Sequence, residues 1–350
     1  MRSHTHLYPG ICSLENLYAA AAKARKRKTR KEDVERFELH RERFVRQIHE
    51  DLTAERWMPS AYRQFQIHDP KTRTISAAPY RDRIVHHALC NVIGPLIESR
   101  FIDDSYSCRQ GKGTLAGRER CRVFTNRYRY ALKCAIRKYF ESIDHEILLG
   151  KLERCIRCKP TLELCRRIVA SSVAGEGAAD WFTGDDLLTP AGRFRGLPIG
   201  NFTSQLWANL YLDRLDHVVK EDLRAPGYAR YTDDFILWSD DKAFLHDCRA
   251  RIVATLESER LRLHPVKTRI IPTAIGVPFL GFRFFPGQAP RLLGECKRRF
   301  ERRMRRKMAA VRDGKVEMQD ACRSAEGWKA FADYGNTKGL YRQYRIHGFG

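Results

Sequence analysis

The chain has 350 residues, with 65 Lys and Arg against 42 Asp and Glu, a formal net charge of +23. That length allows a large core and two or three lobes, and the cationic excess calls for a polyanionic partner, nucleic acid first and a membrane surface second. No apolar run is long enough to span a bilayer, and Met1–Ser13 lacks the apolar core of a signal peptide. A cytoplasmic protein without a membrane partner is expected, its eleven cysteines reduced.

Residues 14–58 read as helical. Ala19–Ala22 favours helix and leads into the basic run from Lys23 to Lys31, which holds Lys26, Arg27 and Lys28. That run suits either a nucleic-acid arm or a solvated helix end. Phe37, Leu39, Phe44, Val45, Ile48 and Leu52 then recur at helical spacing. Residues 61–79 alternate as a hairpin that turns at Asp69-Pro70, and 81–100 reads as a helix with Ile84, Val85, Ala88, Leu89, Val92 and Ile93 on one side. Tyr130–Ile136 is a short apolar strand. Residues 143–173 are helical with an interruption near Pro160, and Cys155 and Cys158 within them are either helix-face thiols or half of a metal site. Gly175–Gly196 reads as a loop with a hairpin. Trp207, Tyr211, Leu215 and Val218 mark a helix, Tyr228–Trp238 a strand–turn–strand, and 241–260 a further helix. Strands are expected at 268–272 and 278–285, and the tail from about 290 is helical and basic. The order is βαββαβ-like, which predicts an α+β lobe with an antiparallel sheet.

Tyr231-Thr232-Asp233-Asp234 sets two carboxylates side by side at a turn between apolar strands. In isolation such a pair often caps a hairpin. Adjacent buried carboxylates also need a cation, and Mg²⁺ prefers carboxylate oxygens together with substrate phosphates.

Several ordered blocks carry a family signature: Lys71-Thr72-Arg73-Thr74-Ile75, Arg81–Leu89, Ser105–Thr114, Ala135–His145, Gly196–Gln205 followed by Ala208–Leu212, the Asp-Asp turn, Val266-Lys267-Thr268 and Phe279-Leu280-Gly281-Phe282. From about residue 60 to 285 the chain resembles reverse transcriptases. The resemblance implies a right-hand polymerase, with an N-terminal helical extension (1–60), fingers (61–130), a palm (131–285, with a fingers insertion at about 150–195) and a helical thumb (286–350). It implies that Arg73 grips the incoming dNTP and that Ile136, Phe140, Ile199, Gly200 and Gln205 line its pocket, with Phe140 as the gate against a ribose 2′-OH. Asp233 and Asp234 would hold two Mg²⁺ ions, or Mn²⁺, and Lys267 would protonate the leaving pyrophosphate. The block with Arg109 and Lys112 would touch template RNA, as would Lys26, Arg27 and Lys28. Phe279–Phe282 resembles the primer-grip hairpin.

Two departures are specific. The family's first metal-binding Asp falls where this chain has Ala135, while Asp144 reads as a structural helix cap. With the other blocks intact, a deliberate Asp→Ala substitution in an active enzyme fits better than natural decay, and the chain as written should polymerise very slowly. Ile199 and Gln205 stand where most of the family carries Gln and Pro. That pattern resembles reverse transcriptases of diversity-generating retroelements, which misread template adenines. The subtype implies a dedicated template RNA, a cDNA and its primer, and a basic helical-bundle accessory protein forming a ring-like oligomer. A host-defence or group II intron-like reverse transcriptase is the alternative, the intron type being weakened by the expectation of no endonuclease extension after the thumb. A non-catalytic RNA-binding scaffold is the second.

Overall fold

The computed structural model describes residues 5–26, 31–67, 73–172 and 180–344. Arg27, Lys28, Lys71, Thr72 and the Asp69-Pro70 turn lie outside the described residues. At the N-terminal end the apolar spacing produces Tyr8–Cys12, Leu14–Arg25, Glu32–Leu39 and Arg41–Thr53. Ser13 opens the second of these helices by accepting the Asn16 N–H at 3.3 Å. Leu17, Ala20, Ala21 and Ala24, then Val34 and Phe37, then Val45, Ile48 and Leu52 are buried in one core with Ile84, Val85, Ala88, Leu89 and Ile93 of helix Tyr80–Glu98. Between these helices β1 (Arg63–Ile67) and β2 (Arg73–Ala77) form the expected hairpin, with Ile67 opposite Arg73.

After helix Thr114–Arg127 the chain builds its central sheet. β3 (Tyr130–Ala135), β4 (Gly227–Tyr231), β5 (Asp234–Ser239) and β6 (Arg269–Pro272) are all antiparallel, in the order β4-β5-β3-β6. Side chains alternate across a sheet with period two. One face therefore carries Leu132, Cys134, Tyr228, Phe235 and Leu237, which join the large helical core. The other carries Ala131, Ala229, Ile236 and Trp238, which join a second core with β7 (Val277–Phe279), β8 (Phe282–Phe284) and the C-terminal helices.

The expected helix over 143–173 is two helices, His145–Cys155 and Lys159–Ala170. Pro160 sits in the first turn of the second, where its missing N–H is not needed. Cys155 and Cys158 are buried at that junction. Asp144 caps the first helix as expected, accepting the Ile147 N–H at 3.1 Å, and Arg260 Nη1 donates to its other oxygen at 2.7 Å. In the described part of the Gly175–Gly196 segment no strand pair forms. Residues 180–196 instead hold the short helix Thr189–Gly192 and an Arg193–Asp185 ion pair.

The strand expected over 278–285 is the tight hairpin β7–β8, because Leu280 (φ +45°) and Gly281 (φ +90°) both take the left-handed conformation. A Cβ on Gly281 would come within 2.6 Å of the Phe331 ring. β9 (Arg291–Leu292) extends this second sheet. Gly294–Arg312, Met318–Ala332 and Lys338–Gln343 close the fold, with Phe300 stacked on Trp328 at 3.8 Å and 11°. The α+β architecture is the expected one.

Candidate active site

β4 and β5 are joined so closely that Tyr231 pairs with Asp234, leaving Thr232 and Asp233 as the whole turn. Thr232 takes φ +57°, which a β-branched residue adopts only when held there. Its hydroxyl lies 2.7 Å from that of Ser107, and its carbonyl accepts from Arg230 Nη1 at 3.2 Å. The Asp233 carbonyl accepts the Ile136 N–H at 3.1 Å, which fixes the turn to the end of β3.

Arg230 is the support beneath this turn, and nothing in the sequence reading had singled it out. It is fully buried, as is Asp216, which accepts from its Nε and Nη2 at 2.7 and 2.6 Å. Tyr228 also donates to Asp216 at 2.7 Å, while Asn209 and Ser105 each accept from Arg230 at 3.1 Å. Every part of this buried charge has a partner, the condition under which such a pair is tolerated. A lone Arg inside an apolar strand was the available signal.

In the β3–β5 register Ala135 stands directly opposite Asp234. One Asp234 oxygen accepts from Lys133 Nζ at 3.2 Å, whereas the other, Oδ1, is buried with no hydrogen-bond partner. Burial pushes the Asp234 carboxyl up, the Asp233 charge adds to the shift, and Lys133 opposes it. Burial also raises the Asp233 carboxyl, against its own backbone N–H and the charges of Lys267, Arg73 and Lys133. An orphaned buried oxygen beside a second desolvated carboxylate fits a divalent cation, although no cluster of three or more acidic, His or Cys side chains occurs among the described residues.

Three segments bring the remaining residues in. The end of β3 meets residues 262–264 in an isolated bridge between Ile136 and Leu263: Arg137 N donates to Arg262 O at 2.8 Å and His264 N to Ala135 O at 2.7 Å. This carries exposed Lys267 to the carboxylates. β2 brings Arg73, and its Ile75 lies against Gly200, 3.4 Å from where a Cβ would sit. The Leu197 N–H bonds the Phe140 carbonyl at 2.8 Å, and the Gly196 N–H bonds Ile143 O at 2.8 Å, so Phe140 and the Ile199-Gly200 turn are neighbours. Gly200 has φ +119°. Phe140 and Ile199 are half-buried, and Gln205 is exposed on helix Phe202–Tyr211.

Four further candidates have surroundings of their own. The Ile136 side chain is 3% exposed and part of the core, so only its backbone reaches the site. Arg109 donates to its own loop at Ile102 O and Ser105 O, at 2.6 and 2.9 Å, and Lys112 donates to Asp103 O at 2.9 Å. Lys26 is exposed at the end of helix Leu14–Arg25.

Residues 67–284 match the family described as reverse transcriptase (RNA-dependent DNA polymerase). The chain belongs to the reverse transcriptase family. The family match takes in Arg73, Ala135, the Asp-Asp turn, Lys267 and the β7–β8 hairpin, and leaves outside it the helices before β1 and those after β9. Among curated proteins the chain is similar to Protein YkfC of Escherichia coli (strain K12), 23% identical over 279 residues, covering 67% of this chain and 70% of that protein. It is also similar to the Putative COX1/OXI3 intron 2 protein of Saccharomyces cerevisiae, 21% identical over 177 residues, covering 49% of this chain and 19% of that one. Among solved structures it resembles telomerase from Candida albicans in complex with a TWJ fragment of telomeric RNA (TM-score 0.47, 13% identity, 66% of this chain and 46% of that one). Apo telomerase from Candida tropicalis gives a TM-score of 0.48 at 11% identity, over 65% of this chain and 47% of that one. This reverse transcriptase thus spans less than half of each of these telomerase chains. No helix among its described residues is long and apolar enough to cross a membrane.

Proposed function

We propose that this chain is an RNA-directed DNA polymerase of the diversity-generating type, with its metal site left one carboxylate short. The observation that carries the proposal is the register of β3 on β5. Ala135 faces Asp234 at the end of the sheet, beside the turn that presents Asp233. A carboxylate at 135 would extend from the same face as Asp234.

In this reading Asp233 and Asp234 hold Mg²⁺, or Mn²⁺, which supplies charge neutralisation for the in-line attack of a primer 3′-OH on the α-phosphate of a dNTP. The chain's own residues bind and orient. Arg73 forks onto the triphosphate, as a planar guanidinium does. Lys267 holds the proton that the pyrophosphate receives on leaving. Phe140 underlies the sugar, Ile199, Gly200 and Gln205 flank the nascent base pair, and the β7–β8 hairpin carries the primer end. Template RNA lies along the cationic surface, with Lys26, Arg27, Lys28, Arg109 and Lys112 as candidate contacts. Ile199 and Gln205 favour the diversity-generating subtype, and with it an oligomeric basic helical-bundle accessory protein. Eleven unpaired cysteines, eight of them buried, suit a cytoplasmic location.

With alanine at 135 the polymerase binds metal weakly and turns over slowly. Ala135→Asp is expected to restore Mg²⁺-dependent cDNA synthesis by orders of magnitude, read by primer extension on an RNA template. Equal activity in the two proteins would refute the assignment of position 135. No synthesis from either, with RNA still bound, would favour the non-catalytic RNA-binding reading that Ala135 by itself suggests.

A further inference from the structure

The sheet β7–β8–β9 shares no backbone ladder with the central sheet, yet one side chain bridges the two. Lys133 lies two residues before Ala135 and so on the same face of β3. Its ammonium donates to the Asp234 carboxylate at 3.2 Å and to the Pro278 carbonyl of β7 at 2.9 Å. The Lys133 side chain is only 16% exposed, so water competes little for either bond. The far side of the hairpin is held by a second cation. Arg118 Nε donates to the Leu280 carbonyl at 3.1 Å, its guanidinium caged by Phe282 and Phe331, each 4.6 Å away, and by Tyr334 at 5.3 Å.

We infer that Lys133 is a positioning residue that locks Asp234 to the β7–β8 hairpin, so that the carboxylate end of the palm sheet and the element under the primer end move as one body. The ammonium occupies one oxygen of Asp234 and leaves Oδ1 without a partner. It therefore sets the rotamer in which the carboxylate is presented. The inference rests on the polymerase reading above for its consequence, that primer placement and carboxylate placement are coupled. The bridge itself rests on geometry alone.

The test compares the chain as it stands, with alanine at 135, with Lys133→Met, which keeps the apolar stem and removes the charge. Amide hydrogen exchange reads the bridge directly. In Lys133→Met, exchange should speed up both in the hairpin, at 277–284, and in the turn, at 231–234, while helix 80–98 stays as protected as in the parent. Acceleration in only one of the two segments, or in neither, overturns the inference, and global acceleration is separated from it by the helix control. Lys133→Arg, which retains a donor with the reach for both acceptors, should restore protection in both segments. Fluorescence anisotropy then reads the consequence. Loss of a charge-assisted bond should weaken affinity for a primer annealed to its RNA template by roughly tenfold, with affinity for the unprimed RNA unchanged. Equal weakening on both ligands, or none, would overturn the coupling to the primer. A parent that fails to distinguish primed from unprimed RNA would instead refute the polymerase reading, and the exchange measurement would still decide the role of Lys133.

Discussion

At the scale of single residues the most consequential position after 135 is Ile199. It is half-buried beside Gly200, on the loop bonded to Phe140, and its side chain has no hydrogen-bonding group to offer a nascent base pair. A lost hydrogen bond in discrimination is worth about 1 kcal/mol, several-fold in selectivity. In an Ala135→Asp background, errors should therefore concentrate opposite template adenine, and Ile199→Gln should lower them several-fold while synthesis stays near the parent level. Sequencing of the cDNA decides the matter, because an unchanged error spectrum after substitution would place this chain with ordinary reverse transcriptases. The candidates at 135, 199, 233, 234 and 267 could be picked out in the sequence because each sits in a short block that resembles a reverse-transcriptase motif. Lys133 and Arg230 were not. Their partners, Pro278 for one and Asp216 and Asn209 for the other, are brought close only by the folded sheet.

At the scale of elements, two buried groups make the central helices and strands sensitive to change. His86 of helix Tyr80–Glu98 is 1% exposed, both its ring nitrogens lack hydrogen-bond partners, and burial pulls its pKa down to about 3. The unfolded chain binds a proton near pH 6.5 and the folded chain does not, so stability falls as pH drops from about 6.5 towards 3, by roughly 1.4 kcal/mol per pH unit for this one group. His86→Leu should remove that component, leaving stability near pH 7 little changed and raising it by about 2 kcal/mol at pH 5 relative to the parent. Urea unfolding at the two pH values measures it, and an identical pH slope in both proteins would exclude His86 as the source. The Arg230–Asp216 pair behaves differently. Arg230→Met strands a fully buried carboxylate and should cost about 3–5 kcal/mol, much of it recovered by adding Asp216→Leu; if the double variant is no more stable than the single one, the pair is not the unit described. Another buried charge explains an element that the sequence concealed. Helix Thr114–Arg127 buries Gly117, Arg118, Cys121, Phe124 and Thr125, a stripe with an arginine and a glycine in it that does not read as apolar. The β7–β8 turn was marked in the sequence only by its likeness to the primer-grip hairpin, since Leu280 adopts a left-handed conformation that its identity does not suggest. Elements with plain aliphatic periodicity, such as Tyr80–Glu98 and Lys242–Ser258, were legible to within two residues.

At the scale of the whole molecule, one sheet separates two cores, and the +23 charge is left to the surfaces around them. Helix Gly294–Arg312 shows where much of it goes. It buries Phe300 alone, and the rest of its sequence is dominated by Arg and Lys. Arg298, Arg302 and Arg305 are exposed, at spacings of four and three that put them on one side of the helix. A row of guanidinium groups at this spacing suits a phosphate backbone, and contacts to phosphate position a nucleic acid without carrying sequence information. Binding to structured RNA should therefore weaken steeply with salt, because displaced counterions drive the association, and it should do so equally with alanine or aspartate at 135. For about six phosphate contacts the loss between 50 and 200 mM salt is roughly a thousandfold. Replacing Arg298, Arg302 and Arg305 together by Gln should lower the slope of log affinity against log salt by up to about three, and should do so for RNAs of unrelated sequence alike. Anisotropy titrations across that salt range supply the slopes. A flat response in the parent would remove nucleic acid as the partner that the charge selects. A slope unchanged in the triple variant would move the phosphate track off this helix and onto the N-terminal basic run that contains Lys26.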